Sequence, residues 1–209
     1  MGLTASETSG TSFNPVSEGM HHAICYSIFD LGTQHNPVFD SRARKVLIVW
    51  ELPEERIDIE KDGEEKNLPR AISKQYTLSL HEKSNLRKDL ESWRGKAFTS
   101  AELAGFDVKN LLSVNCMLQV IHKTKNEKTY ANITSVVSLY GKEKRTPENP
   151  IRFFSFEEDM EIPEGTPEWV EKLIKVSDEW QVKMNPKSEE SYISEDTPPL
   201  DAYEDDVPF

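Results

Sequence analysis

At residues 84–95 the hydrophobic period of this sequence changes abruptly. Ser84 opens a stretch in which Leu86, Leu90 and Trp93 recur at helical spacing, and Gly95 closes it. The spacing predicts a helix with one apolar face, a serine cap and a glycine stop. On either side the apolar residues alternate or run together, as strands require. Three such stretches precede the helix, at 19–31, 44–52 and 71–80. Two follow it, at 114–123 and 128–137, joined by a short turn at 124–127. A shorter helical or turn segment at 100–106 completes the connection between the two groups. Gly32 to Pro37 breaks the first strand from the second, and a polar connection at 53–63 separates the second from the third.

Five strands with a helix between the third and fourth is the order of the OB-fold. This small, partly open barrel presents its strand 2–3 face and its loops 1–2 and 4–5 to oligonucleotides. Other barrels share the order, so order alone assigns no function. The expected organisation is mainly β: a disordered segment at 1–16, the barrel at 17–163, a helical appendage at 164–184 and a disordered acidic tail at 185–209. Within it, Ile151-Arg-Phe-Phe-Ser-Phe156 reads as a strand lying on the barrel. Thr166 and Pro167 then read as the cap and first residue of a helix with an apolar stripe at Trp169, Leu173 and Val176. The run Arg44–Leu52 is apolar on both faces, so the second strand is central or covered on one side by DNA or another segment.

Composition matters through its unevenness. A 36% hydrophobic content and a mean hydropathy of −0.62 are low for a fully compact chain of 209 residues. The net charge of −12 argues at first against nucleic acid. Residues 42–152, however, hold 21 basic against 16 acidic residues, whereas 153–209 hold 4 against 17. The central part is mildly basic and the last quarter strongly acidic, and local fields govern phosphate binding.

Other chemistries find little support. Cys25 and Cys116 sit in apolar strand contexts without CxxC or CxxH spacing and read as buried free thiols of a reducing compartment. His21 and His22 point to opposite faces of a strand and cannot share an ion without a bulge. No GxGxxG, Walker lysine loop, HExxH or GxSxG pattern occurs, so no cofactor and no enzyme activity are expected. Glu51, Glu54 and Glu55, or Glu157, Glu158 and Asp159, could be imagined as a two-metal nuclease site, but nothing specifies the geometry. The longest apolar run, Val46 to Trp50, is too short for a membrane, no secretory signal is visible, and a cytoplasmic protein is expected. The sequon at Asn132 falls inside a strand pattern and reads as unused.

The sequence ends Asp201-Ala-Tyr-Glu204-Asp205-Asp206-Val207-Pro208-Phe209. Such a run cannot bury its carboxylates, yet it keeps an apolar anchor suited to a pocket on another protein. Glu204 to Phe209 resembles the acidic tip of bacterial single-stranded DNA-binding proteins. The body is similar to phage-encoded single-stranded DNA-binding proteins at Trp50-Glu-Leu-Pro-Glu-Glu-Arg56, at Ser79-Leu-His-Glu-Lys-Ser-Asn-Leu86, at Ser92-Trp-Arg-Gly95 with Phe98, and at Tyr130-Ala-Asn-Ile133. The resemblance implies a barrel that coats single-stranded DNA during replication, recombination or repair, and a tip (Asp201, Glu204, Asp205, Asp206, Val207, Pro208 and Phe209) that recruits partner enzymes. The alternative is an interaction adaptor or decoy that mimics the tip and binds no DNA.

A single-strand binder needs cations along the backbone path and aromatic faces for the bases. Candidate cations are Arg42, Arg44 and Lys45 in the expected loop 1–2, Lys74 on strand three, Lys123, Lys125 and Lys128 around loop 4–5, and Lys142, Lys144 and Arg145 after strand five. Candidate stacking residues are Trp50, Tyr76 and Tyr130. Tyr130 shares its face with Lys128, Asn132 and Thr134 and is expected to be exposed, whereas Trp93 belongs to the core. The C-terminal helix packs on the barrel or mediates self-association.

Overall fold

The computed structural model describes residues 14–61, 63–158 and 161–185. The acidic tip, the linker before it and residues 1–13 lie outside the described residues. The elements in chain order are β1 (Gly19–Asn36), β2 (Ser41–Lys61), β3 (Glu64–Thr77), α1 (Asn85–Arg94), α2 (Ser100–Ala104), a single 3-10 turn (Val108–Leu111), β4 (Asn115–Lys125), β5 (Lys128–Ser138), β6 (Arg152–Phe154), α3 (Glu168–Lys175) and α4 (Asp178–Met184). The protein is mainly β, with its helix between the third and fourth strands as the period change requires.

The strands form one sheet in the order β3-β2-β1-β4-β5, antiparallel along that path. β4 pairs with β1 at residues 19–24, and β6 takes up the same edge further on, parallel to Ser27–Phe29. The path is not closed: β3 and β5, its two ends, come into contact without a hydrogen-bonded ladder.

Both faces of β1 and β2 are buried, and two cores result. Val46, Ile48, Trp50 and Leu52 point inward onto Leu86, Leu90 and Trp93 of α1, with the two indole rings 5.8 Å apart. Leu47, Val49, Phe29 and Leu31 point outward, beneath Phe154 of β6 and Val170 and Ile174 of α3. The outer cover of the apolar-on-both-sides strand is therefore a segment of this chain. Cys25 and Cys116 are free and buried, and burial pushes both thiols up.

Four expectations need correction. The polar connection at 53–63 is not a loop: beyond a bulge at Leu52/Arg56 the chain stays paired to Lys61↔Glu64. Ile57 and Ile59 alternate with Arg56, Asp58 and Glu60, which is strand patterning, and Gly63 takes the positive φ of the turn. β1 likewise runs through the expected break to Asn36, bulging between Asp30 and Gly32. Ser84 occupies the N-cap position of α1, but its hydroxyl donates to Ser79 O and caps nothing, whereas Gly95 stops the helix in the left-handed region. In α3 the inward residues are Val170 and Ile174, while Trp169 is half-exposed and Val176 exposed. Pro167 takes the N-cap position and the Thr166 hydroxyl turns back to Pro163 O. Leu173 of the expected stripe does pack on the outer core, partly buried, but the inward face is centred on Val170 and Ile174 and leaves Trp169 and Val176 towards solvent.

Gly32 fixes how α4 meets the sheet. Its φ is +64°, and a Cβ there would lie 2.6 Å from Ser177 Cβ, so only glycine allows this approach. Next to it the Thr33 N–H and hydroxyl both donate to the Glu179 carboxylate, at 2.6 and 2.8 Å.

Candidate nucleic-acid interface

The cations named from sequence separate by whether the fold neutralises them. Arg42, Arg44 and Lys45 lie within β2, not in a loop. Arg42 pairs with Asp178 at 2.8 Å, and Arg44 is held by Asp30 at 2.5 Å and Glu157 at 3.1 Å. Lys74 donates to Asp89 at 2.7 Å, and the Tyr76 hydroxyl meets the same oxygen. Lys142 and Arg145 converge on Glu54, and the Lys142 hydrogen bond holds that carboxyl below its ordinary range. Lys45 donates to the Thr77 hydroxyl. Lys123, Lys125, Lys128 and Lys144 are exposed and make no ion pair among the described residues.

The aromatics separate in the same way. Trp50 and Tyr76 are buried in the inner core, so neither ring is open to a base, because inward positions of β2 and β3 are filled by α1. Tyr130 is 51% exposed. Register explains its setting: in an antiparallel pair, directly opposed residues share a face. Lys123 lies opposite Tyr130, Lys125 opposite Lys128 and Ile121 opposite Asn132, all on the outer face, while Val120, Ile133, Leu118 and Val136 fill the inner one. The turn between the strands is two residues, Asn126 and Glu127, both at positive φ, which keeps the hairpin in register to its tip. Three lysines without an ion pair among the described residues thus share the outer face of the hairpin with one exposed phenol. This can bind a phosphodiester chain and stack a base at the same time.

A basic concavity of about 460 Å³ lies at the other end of the sheet. Lys45, Lys74, Thr77, His81 and Lys83 line it beside the start of α1. His81 and Lys83 were not legible as site residues, because the loop that brings them to β2 has no pattern of its own. Tyr140, 91% exposed beside Lys142 and Lys144, was also missed. Its signal, an aromatic among cations just past a strand, was present in the sequence.

Of the carboxylates considered for a nuclease, Asp159 lies outside the described residues, and Glu54, Glu157 and Glu158 pair with Lys142, Arg44 and Lys109. Glu51 is buried, and its oxygens accept the N–H groups of Glu148 and Asn149 and the Asn149 amide, at 2.7–2.9 Å. Glu55 faces His21 and Ser17. Among the described residues no three His, Cys, Asp or Glu side chains converge as metal ligands, and no helix is long and apolar enough to cross a membrane. No family model matches the chain, and no curated protein matches it.

Proposed function

We propose that this protein binds single-stranded DNA without reading its sequence, on an OB-type barrel, and recruits enzymes of replication, recombination or repair through Asp201–Phe209. The outer face of β4–β5 carries the reading: Lys123, Lys125 and Lys128 have no carboxylate partner among the described residues, and Tyr130 is exposed on the same face. Support for the barrel type comes from the position of α1 between the third and fourth strands and from a sheet whose ends, β3 and β5, come together unpaired. The sequence Asp201–Phe209 joins a run of carboxylates to a Val-Pro-Phe anchor of the kind a partner pocket can take.

Titration with oligo-dT at several salt concentrations tests the reading. Replacing Lys123, Lys125 and Lys128 by Glu weakens binding and lowers the log-log salt slope by about 0.7 for each phosphate no longer neutralised. An unchanged slope excludes the β4–β5 face. The runner-up, an adaptor that binds no DNA, draws on the internal pairing of Arg42, Arg44, Lys142 and Arg145. It predicts no salt-dependent oligo-dT binding at all.

A further inference from the structure

The β1–β2 turn carries two large apolar side chains in open water. Val38 is 79% exposed and Phe39 77%. Single exposed apolar residues need no explanation, but these two are adjacent and the turn beneath them is braced. The Val38 N–H donates to Asn36 Oδ1 at 3.0 Å, His35 Nε2 meets Asp40 Oδ1 at 3.1 Å across the base of the turn, and Pro37 restricts the backbone between them. Asp40, directly after the phenyl ring, is fully accessible.

A pocket of complementary character opens where α3 leaves β3 uncovered. It holds about 270 Å³, and its walls include Tyr26, Val49, Ile72, Pro167 and Trp169, with Arg152 as the one cation among the described residues. Trp169 overhangs it because Val170 takes the inward position of α3. Arg152 donates Nε–H to Glu164 O and makes no ion pair among the described residues. A phenyl ring followed by a carboxylate suits this site. A nucleobase suits it less, since its amide and amino edges would lose water against a largely apolar wall.

The turn of one molecule cannot fill its own pocket. The pocket lies against Ser27 of β1, and the paired strand from there to Asn36 spans roughly 30 Å at about 3.3 Å per residue. We propose that Val38-Phe39 of one copy inserts into the Tyr26–Trp169 pocket of another, with Asp40 meeting Arg152. Because donor and acceptor surfaces differ, the contact either closes as a reciprocal two-fold pair or propagates head to tail. On a DNA strand it would couple neighbouring copies. The contact itself does not depend on the DNA reading.

Sedimentation of the full chain, with and without poly(dT), tests it alongside binding to an oligo-dT short enough for one copy. Phe39→Asp alters only an exposed turn and should leave the fold intact. It is expected to abolish concentration-dependent association of the free protein and the blue shift of Trp169 fluorescence that accompanies it. Cooperative binding to poly(dT) is expected to fall at least tenfold, with affinity for the short oligo-dT within twofold of the parent. Asp40→Arg should reproduce the defect, and adding Arg152→Asp should restore association. Equal losses on short and long DNA would overturn the proposal and make Phe39 a base-stacking residue. A free protein that is monomeric at all concentrations and binds poly(dT) as before when Phe39→Asp is introduced would also overturn it. Association abolished by Phe39→Asp, in a protein that binds no DNA, would instead uphold the contact and remove the DNA reading.

Discussion

Two aromatic residues on different strands of the path have opposite fates, and the difference is measurable. Tyr130 stands outside the sheet beside Lys123, and Trp50 lies inside against Trp93. Tyr130→Ala is expected to cost about 1–3 kcal/mol of oligo-dT affinity, the worth of one stacked base, with an unchanged melting temperature. Trp50→Ala is expected to cost about 3–5 kcal/mol of stability through the cavity left around α1. Fluorescence titration and thermal melting of both variants check the pair. If Tyr130→Ala melts early and binds normally, the outward placement of β5 side chains is wrong. Alternation within β5 made Tyr130 legible as the exposed aromatic, whereas β2 is apolar on both faces and its sequence could not say which face Trp50 joins.

At the scale of elements, α4 meets β1 at a crowded point, where Gly32 lies against Ser177 and Glu179. Gly32→Ala places a methyl group where Ser177 Cβ already sits and adds a left-handed alanine, a conformation that costs about 1–2 kcal/mol by itself. The variant should keep the inner core but show faster hydrogen exchange in α4. Undiminished protection of α4 would show that the approach is not tight. The same point is acid-sensitive. Burial alone would raise the Glu179 carboxyl, but the N–H and hydroxyl of Thr33 outweigh it and hold the group below its ordinary range. A carboxyl depressed in the folded state stabilises fully above its unfolded value, about 4.3, and that contribution fades as pH falls through the lower folded value. Thermal melts at pH 7 and pH 3 should therefore lie closer together in Glu179→Gln than in the parent. Glu54, Glu91, Glu102 and Glu148 are lowered as well and leave a residual acid sensitivity in the variant.

For the whole molecule, charge is divided between a body that is net basic over 42–152 and an end that is strongly acidic. Deleting Asp201–Phe209 is expected to leave the melting temperature unchanged and DNA binding equal or tighter, with the gain shrinking as salt screens the removed carboxylates. Partner binding should collapse, and Phe209→Ala alone should remove roughly 2 kcal/mol or more of it, as a buried aromatic anchor does. Oligo-dT titration beside a pull-down of replication enzymes separates the two effects. Loss of DNA binding in step with stability would mean the end of the chain is structural.

Periodicity is a local property, and what it governs was legible in the sequence alone: the order of strands and helix, the inward face of α1, the strand setting of both cysteines and the outward position of Tyr130. Ion pairing and the choice between two apolar faces are non-local. Arg44 meets carboxylates 14 and 113 residues away, Arg42 one 136 residues away and Lys142 one 88 residues away, so no window of sequence could have removed them from the candidate cations. The outer faces of β1 and β2 needed a cover, but its identity and the setting of α3 that turns Val170 inward and leaves Trp169 over the pocket came from tertiary packing. Apolar pattern sets which residues seek burial. Only the assembled fold decides what buries them and which charges are left over.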